Sequence, residues 1–186
     1  MRNFSRKLLW QGKFLRIVGK EFKNKNGSKS LWECVELGNT GGVVMIFALT
    51  KKKEVILGKQ FRFPISKDIV ELPAGLLDKL GENPKEAAER ELLEETGYKA
   101  EKLILASRGY FNPGITNSEI FTFFAPEAIF TGFDNVSSDD SEEIEVVKVP
   151  LKKLAGFCLK KHKNFVVDPK ILSFLRILEE KKLIKK

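Results

Sequence analysis

The residues best suited to chemistry are three glutamates in one predicted helix. Glu91 and Glu95 are four residues apart and Glu94 lies three residues after Glu91, so all three fall on one helix face. At roughly 6 Å and an effective dielectric of ~20, each pair of carboxylates repels by about 2 to 3 kcal/mol, so a partly buried cluster needs cations. Carboxylate oxygens with room for water favour Mg²⁺ or Mn²⁺ over zinc, which prefers His or Cys. The spacing therefore predicts a divalent metal site.

The helix that carries these glutamates has start and stop signals. Asn83 is a suitable N-cap before a proline, and Gly97 can end the helix in the left-handed conformation. These signals predict a helix over residues 84–96. Arg90 has a glutamate one turn away on each side, so it can hold the predicted ligand Glu94 by an i, i+4 pair. Taken alone, the segment also fits an ordinary solvated helix with surface ion pairs.

Strand signals precede and follow this helix. A turn rich in Asn and Gly between two β-prone segments predicts a hairpin in a small N-terminal sheet, and the later apolar runs predict a second sheet covered by helices on both faces. The predicted strands cover residues 14–23, 31–37, 42–49, 54–61, 69–72, 102–106, 120–124 and 144–149. Two further helices are predicted at 150–159 and 169–181.

Composition narrows the class of protein. With 186 residues and 42% hydrophobic content, the chain suits one compact domain, with room for a small appended subdomain. Two cysteines without metal spacing and no apolar run of about 18 residues predict a soluble cytoplasmic protein without a membrane partner. The net charge of +8 comes from scattered lysines without a binding motif, so nucleic acid is not the expected partner. A positive field would equally attract a small polyanion such as a nucleotide diphosphate.

Nucleophilic catalysis is disfavoured. The single histidine, His162, lies in a run of lysines, and no GxSxG elbow is present. Glycine-rich phosphate loops of the Walker or dinucleotide type are also missing from the sequence. The predicted metal helix therefore remains the best candidate for chemistry.

The helix and the loop before it resemble the Nudix box, whose pattern is Gx5Ex7REUxEExGU with U a bulky apolar residue. Glu82 is followed, after seven residues, by a matching run from Arg90 to Gly97, and Tyr98 stands at the final U position. One departure lies in the loop, where six residues separate Gly75 from Glu82 instead of five. The extra residue leaves the helical glutamates untouched and puts the role of Glu82 in doubt.

The resemblance implies an α+β fold, a Nudix-type α/β/α sandwich with a mixed central sheet and a small N-terminal antiparallel β subdomain. It implies an N-terminal subdomain at residues 1–40, which could serve dimerisation, and a hydrolase domain at residues 41–186. It also implies Mg²⁺, with Mn²⁺ as a possible substitute, and a catalytic role for Arg90 and Glu94. The implied metal ligands are Glu91, Glu95, Glu94 and the carbonyl oxygen of Ala74.

Further segments resemble the ADP-ribose pyrophosphatase subgroup. Pro113 stands sixteen residues after the box glycine and is followed by Gly114 and a Ser-Glu pair that ends at Glu119. The segment KQFRFP ahead of ELPAG puts Arg62 where the subgroup has a substrate-contacting arginine. Trp32 stands where related enzymes carry a tryptophan that stacks on adenine, commonly across a domain-swapped dimer. The first and the last of these features have simpler explanations, since a Pro-Gly pair is a common turn and Trp32 could pack within its sheet.

The subgroup resemblance implies a homodimer that hydrolyses a nucleoside diphosphate linked to another group, with ADP-ribose giving AMP and ribose 5-phosphate. A second arginine that some relatives carry shortly after the tryptophan is missing, which leaves nucleotide selectivity open. Hydrolysis of a GDP-sugar such as GDP-mannose or of a dinucleoside polyphosphate is the alternative. A non-catalytic sensor with a Nudix-like fold is a further alternative, but it would be expected to have an eroded box and an added DNA-binding module.

The resemblance also implies a general base on the acidic loop before the last predicted strand. Counted back from Pro150, Glu142 matches the loop glutamate of related ADP-ribose enzymes. The helical glutamates are assigned to metal, so a further carboxylate on a flexible segment is needed to take a proton from the attacking water. Glu143 is the close competitor and Glu119 the next candidate. A solvated acidic loop without a catalytic role remains the alternative.

Overall fold

The computed structural model of the protein describes residues 4–38, 40–110, 112–132 and 143–184. Within these residues the chain forms two sheets and three α-helices. The N-terminal sheet is antiparallel and contains β1 (Phe4–Gln11), β2 (Leu15–Lys23) and β3 (Lys29–Leu37). The strands of the second, central sheet are β4 (Val43–Thr50), β5 (Glu54–Arg62), β6 (Lys67–Glu71), β7 (Ala74–Leu76), β8 (Tyr98–Ala100), β9 (Ile104–Tyr110), β10 (Glu119–Phe130), β11 (Glu145–Pro150) and β12 (Val166–Val167). The helices are α1 (Pro84–Thr96), α2 (Leu154–Leu159) and α3 (Lys170–Glu180).

The central sheet is mixed. Its main path runs β12-β6-β5-β4-β10-β8, and β11, β7 and β9 pair with β5, β4 and β10 respectively. Strand β10 is parallel to β4 and β12 is parallel to β6, whereas the other pairs are antiparallel. This arrangement confirms the predicted fold class.

Two apolar layers cover the faces of the central sheet. Strand β4 shows why, because its side chains alternate between the faces and nearly all of them are buried. Val44, Ile46 and Ala48 pack in the layer that contains the buried residues of α1. Phe47 and Leu49 belong to the other layer, which contains the buried residues of α2 and α3. The sheet is thus enclosed by α1 on one side and the two later helices on the other.

The N-terminal sheet is much less buried than the central one. Every residue of β1 is exposed, and the exposed large apolar side chains of the sheet include two tryptophans, Trp10 and Trp32. The sheet is tied to the rest of the chain by the loop before β10, since Val35 N donates to Ile115 O at 2.8 Å. The division of the chain at residue 40 falls between β3 and β4 and stays a prediction.

The helix predicted from local signals agrees with α1 at both ends. The two later helices are shorter than predicted. A 3-10 turn (Leu151–Lys153) takes the place of the first residues of α2, and α3 is one residue shorter at each end. None of the described helices is long and apolar enough to cross a membrane.

Candidate active site

Helix α1 is fixed at both ends and along one side. The Asn83 side chain accepts hydrogen bonds from the first-turn amides, and the Glu86 carboxylate accepts one from Asn83 N at 2.9 Å, which completes a capping box. Gly97 ends the helix with φ of 71°, in the left-handed region that favours glycine. The buried face consists of Ala87, Ala88, Leu92 and Thr96. Packing of these small and apolar side chains on the sheet sets the direction of the glutamates beside them.

Arg90 joins several carboxylates of this region. Its guanidinium donates to Glu82 at 2.8 and 3.1 Å, to Glu91 at 2.6 Å and to Glu94 at 2.9 Å. It also donates to Leu76 O at 3.1 Å, so it ties the loop before α1 to the helix. The hydrogen bonds from Arg90 lower the pKa of Glu82, and those to the glutamates raise the pKa of Arg90.

The loop before α1 keeps Glu82 in contact with the helix despite its extra residue. Gly81, with φ of 79°, adopts the left-handed conformation immediately before Glu82. Arg90 pairs with Glu82 and Glu94, whereas Glu86 caps the helix. The predicted contact between Arg90 and Glu94 is therefore present.

Glu91 lies in a position that only a glycine at residue 75 allows. A Cβ atom on Gly75 would lie 1.9 Å from Glu91 Cδ. Burial raises the pKa of Glu91, and the charge and hydrogen bond of Arg90 offset only part of that effect. Close by, Glu95 accepts a hydrogen bond from Ala74 N at 3.1 Å. Strand β7 and helix α1 therefore form the two sides of a carboxylate-rich cradle.

These groups line one cavity of about 1120 Å³. It contains the predicted residues Arg62, Ala74, Arg90, Glu91, Glu94, Glu95 and Glu119. Apolar side chains from β3 and β4 also line it, together with Ile115, Thr116 and Ser118 from the loop before β10. A concave site with apolar walls and a few converging charges is the usual form of a small-molecule site.

The donor set suits a hard divalent cation by its chemistry, since it is made of partly buried carboxylates. The carboxylates of Glu91, Glu94 and Glu95 are not yet arranged as one metal site, however. Among the described residues, no group of three or more His, Cys, Asp or Glu side chains is arranged to hold a metal ion. The contacts explain this, because Arg90 bonds to both Glu91 and Glu94, and Glu95 bonds to Ala74 N. Metal binding would draw these carboxylates toward one point, and hydrogen bonds from Arg90 to single carboxylate oxygens are compatible with that.

Three predicted substrate residues, Trp32, Pro113 and Gly114, are not part of the cavity lining. The Trp32 indole donates to Gly114 O at 2.9 Å, which fixes the ring although 54% of the residue is exposed. Pro113 precedes this contact in the same loop, whose next residue, Ile115, reaches the cavity. Glu142 lies outside the described residues. Ile144, two residues later in the chain, does line the cavity.

Glu119 is fixed by an arginine, Arg108, that the sequence analysis did not identify. Arg108 donates to both of its carboxylate oxygens, at 2.5 and 3.0 Å, and these bonds lower the pKa of Glu119. A carboxylate with a lowered pKa is a weaker base, so this pair suits fixed recognition better than proton transfer.

Sequence reasoning missed the residues that surround Arg62. Arg62 Nε donates to Glu71 Oε1 at 2.8 Å, and Lys170 lines the same cavity. Glu71 stands in the segment ELPAG, so its place before the predicted metal helix was the available signal. Its pairing with Arg62 depends on how β5 and β6 lie side by side, which local patterns do not specify.

Comparisons with known proteins show the family and the fold of the chain. The model of the NUDIX domain family matches residues 39–172. The chain is 34% identical over 151 residues to the ADP-ribose pyrophosphatase of Bacillus subtilis (strain 168), covering 81% of this chain and 79% of that protein. It is 33% identical over 135 residues to the GDP-mannose pyrophosphatase of Yersinia enterocolitica, covering 68% of each. A crystal structure of an ADP compounds hydrolase superposes with a TM-score of 0.76 at 20% identity, over 97% of this chain and 93% of that one, and supports the fold.

Proposed function

The chain belongs to the Nudix family and is a pyrophosphohydrolase, and on that premise we propose that it cleaves the diphosphate of ADP-ribose to give AMP and ribose 5-phosphate. The proposal rests on one observation. The glutamates of α1, Arg62, residues of the loop at 115–118 and Glu119 at the start of β10 all belong to the same cavity. Carboxylates for a metal and cations for a diphosphate are the two requirements of this reaction.

The metal would be Mg²⁺, for which Mn²⁺ could substitute, and Glu91, Glu94, Glu95 and the Ala74 carbonyl would hold it. When bound, the ion would neutralise the diphosphate and lower the pKa of a bound water. Arg90 orients Glu91 and Glu94 through its hydrogen bonds and keeps the loop before α1 in place. Gly75 leaves the space in which the Glu91 carboxylate lies.

Substrate recognition would use residues from three elements. Arg62 would contact the diphosphate, since it lines the cavity and its side chain is 38% exposed. Trp32 would stack on adenine, with its ring plane set by the bond to Gly114 O. Glu119, fixed by Arg108, would accept hydrogen bonds from the nucleoside part.

A homodimer would complete the nucleoside end of the site. The N-terminal sheet exposes large apolar side chains, and exposed apolar surface of this kind favours association. A second chain that covers this sheet would also approach Trp32 and the loop at residues 113–118.

Glu142 would act as the general base. It would take the proton from the attacking water as the oxygen bonds to phosphorus and the diphosphate bridge breaks. The support comes from chain position, because Ile144 lines the cavity and Glu143 lines an adjoining one with Arg62. Glu142 lies in the segment 133–142, which is outside the described residues.

A GDP-sugar is the second candidate substrate. It is favoured by the GDP-mannose pyrophosphatase relative, and the lack of an arginine that some relatives carry shortly after Trp32 leaves the nucleotide selectivity open. The non-catalytic sensor is not favoured, because all the box carboxylates of α1 are present and Glu91, Glu94 and Glu95 line the cavity.

A substrate panel tests the proposal. Purified protein with Mg²⁺ is incubated with ADP-ribose, GDP-mannose, NADH and diadenosine polyphosphates, and the products are separated by chromatography. The proposal expects the highest kcat/KM for ADP-ribose, with AMP and ribose 5-phosphate in equal amounts. A higher kcat/KM for GDP-mannose would replace it with the second candidate.

A further inference from the structure

Arg62 and Glu71 are far apart along their strands yet form a direct ion pair. In the antiparallel pairing of β5 and β6, Glu71 lies opposite Gly58 and Arg62 lies opposite Lys67. Arg62 is thus four residues from the position opposite Glu71, about 13 Å at the usual rise per residue. Both side chains must therefore extend toward each other along the sheet for Arg62 Nε to donate to Glu71 Oε1 at 2.8 Å. An extended side chain of this length needs an anchor to keep one conformation.

Glu71 has the properties of such an anchor. It is 8% exposed, whereas the side chain of Arg62 is 38% exposed. Burial raises the pKa of Glu71, and the charge of Asp168 adds to that rise, whereas Arg62 and, to a smaller extent, Lys170 act in the opposite direction. The carboxylate is therefore buried inside the wall, while the guanidinium that it holds can reach a ligand in the cavity.

Two charged residues at the start of α3, Asp168 and Lys170, act on Glu71 through their charges. Asp168 is 3% exposed, and its Oδ2 lies 2.6 Å from Lys170 Nζ as an ion pair. This contact lacks hydrogen-bond geometry, and Asp168 Oδ2 has no hydrogen-bond partner among the described residues. Asp168 N donates to Val70 O, the residue before Glu71, which fixes the helix start against β6. Lys170 is thereby held where its charge favours ionised Glu71.

We propose that Glu71 is a positioning residue that holds the Arg62 guanidinium in the orientation needed to bind the substrate diphosphate, with Lys170, itself held by Asp168, as a nearby cation. This inference rests on the proposed function, because it takes Arg62 as a contact to the diphosphate. A free arginine loses rotamer freedom on binding, and the anchored one has lost it already. The consequence is a lower KM rather than a faster chemical step.

A double-mutant cycle in KM and kcat tests this role. R62A should raise KM for the best substrate by about 100-fold, and E71Q, which keeps the shape and removes the charge, should raise KM by about 10-fold with kcat changed less than about 3-fold. If Glu71 acts through Arg62, E71Q introduced into R62A should change KM by less than about 2-fold. E179Q is the matched control, because Glu179 pairs with Arg176 at 3.3 Å on α3 outside the cavity lining, and it should leave both constants unchanged.

Two outcomes would overturn the proposal. The first is an E71Q effect that persists at full size in the R62A background, which would show that Glu71 acts independently of Arg62. The second is an unchanged KM in E71Q where R62A raises it. Should E71Q fail to fold, E71D keeps the charge but shortens the side chain, and the same cycle is run with it. The cycle uses whichever panel substrate is cleaved, so a failure of ADP-ribose as substrate is distinguishable from a failure of the Glu71 assignment.

Discussion

Two groups of charged residues lie at or next to the cavity, and they balance their charges differently. In the α1 group (Glu82, Arg90, Glu91, Glu94 and Glu95), four carboxylates surround one arginine, and Lys79 adds one further cation at 3.5 Å from Glu94. In the β6 group (Arg62, Glu71, Asp168 and Lys170), Arg62 pairs with the buried Glu71 and Lys170 pairs with the buried Asp168. The α1 group thus carries excess negative charge, whereas the β6 group is electrically balanced.

The difference assigns separate tasks to the two groups. Excess carboxylate charge in a partly buried region is costly until a cation arrives. Burial raises the pKa of Glu91 most, and the charges of Glu94 and Asp78 add to that rise. In the β6 group burial also raises the pKa of Glu71, but a cation already lies beside that carboxylate. Fixed cations of this kind can orient an anion without much rearrangement. We therefore expect substitutions in the α1 group to act on kcat and metal affinity, and those in the β6 group to act on KM.

The largest expected effect comes from a ligand of the α1 group. E95Q should lower kcat by roughly 10³-fold, because a neutral amide stabilises a divalent cation and its charged substrate much less than a carboxylate does. Steady-state kinetics at saturating Mg²⁺ measures it, with circular dichroism to verify folding. A rate near that of the wild type would remove α1 from the metal site.

The next effect concerns the base. E142Q should lower kcat by roughly 10²-fold with KM nearly unchanged, because the amide cannot take the proton of the attacking water. E143Q is the control of matched chemistry and should stay active. The opposite pattern would move the base to Glu143, and two active variants would place the base outside this loop.

Gly75 connects the α1 group to strand β7. G75A should lower kcat/KM by about 10 to 100-fold and weaken metal binding, because its Cβ would meet the Glu91 carboxylate and displace it. G156A is the matched control, since a Cβ at Gly156 meets no atom within 4 Å. Equal activity of G75A and the wild type would show that the position of Glu91 is unimportant.

Trp32 tests the nucleoside end of the cavity. W32A should raise KM for an adenine substrate about 10-fold, the usual loss for one base stacked on an aromatic ring, with a smaller change in kcat. W10A is the control, because Trp10 is equally exposed, at 54%, and lies in β1. Similar KM values for the two variants would favour a purely structural role of Trp32.

The smallest effect is on stability without metal. Because burial raises the pKa of Glu91 above its ordinary 4.5, the unfolded chain releases this proton at lower pH than the folded protein does. The folded state therefore loses stability as the pH rises from 4.5 to the raised pKa. E91Q lacks this loss, so at pH values above the raised pKa its Tm should exceed that of the wild type by a few degrees. For a chain of this size, each kcal/mol of unfolding free energy corresponds to about 2 to 4 °C in Tm.

Thermal unfolding at pH 4 to 8 measures this difference. The gap between E91Q and the wild type should widen with pH, and added Mg²⁺ should narrow it by stabilising the wild type alone. A gap that stays constant over this pH range would contradict the assigned cause.

Local signals in the sequence were sufficient for α1 and its glutamates. The capping box and the glycine stop act within a few residues, so the predicted bounds agree with the structure. Strand β1 was not predicted, because its apolar residues are interrupted by charges, and all of its residues are exposed. Its strand form depends on pairing with β2, which sequence periodicity does not report.

The β6 group shows the same limit within the site. Arg62 was predicted from a motif, but its partner Glu71 is identified only by the register of β5 and β6. Lys170 comes from almost 100 residues later in the chain and reaches the cavity through packing of α3, with Asp168 as its ion-pair partner. Likewise, the sequence places three glutamates on one face, whereas the hydrogen bonds that divide them between Arg90 and Ala74 follow from the folded loop.

Direct binding of Mn²⁺ tests the division between the two groups most plainly. The number of bound ions and their affinity are measured by electron paramagnetic resonance for the wild type, E95Q and R62A, and nucleotide affinity is measured on the same samples. The account predicts that E95Q loses Mn²⁺ affinity, while R62A keeps it and loses affinity for the nucleotide. Equal Mn²⁺ binding by E95Q and the wild type, or lost Mn²⁺ binding in R62A, would contradict it.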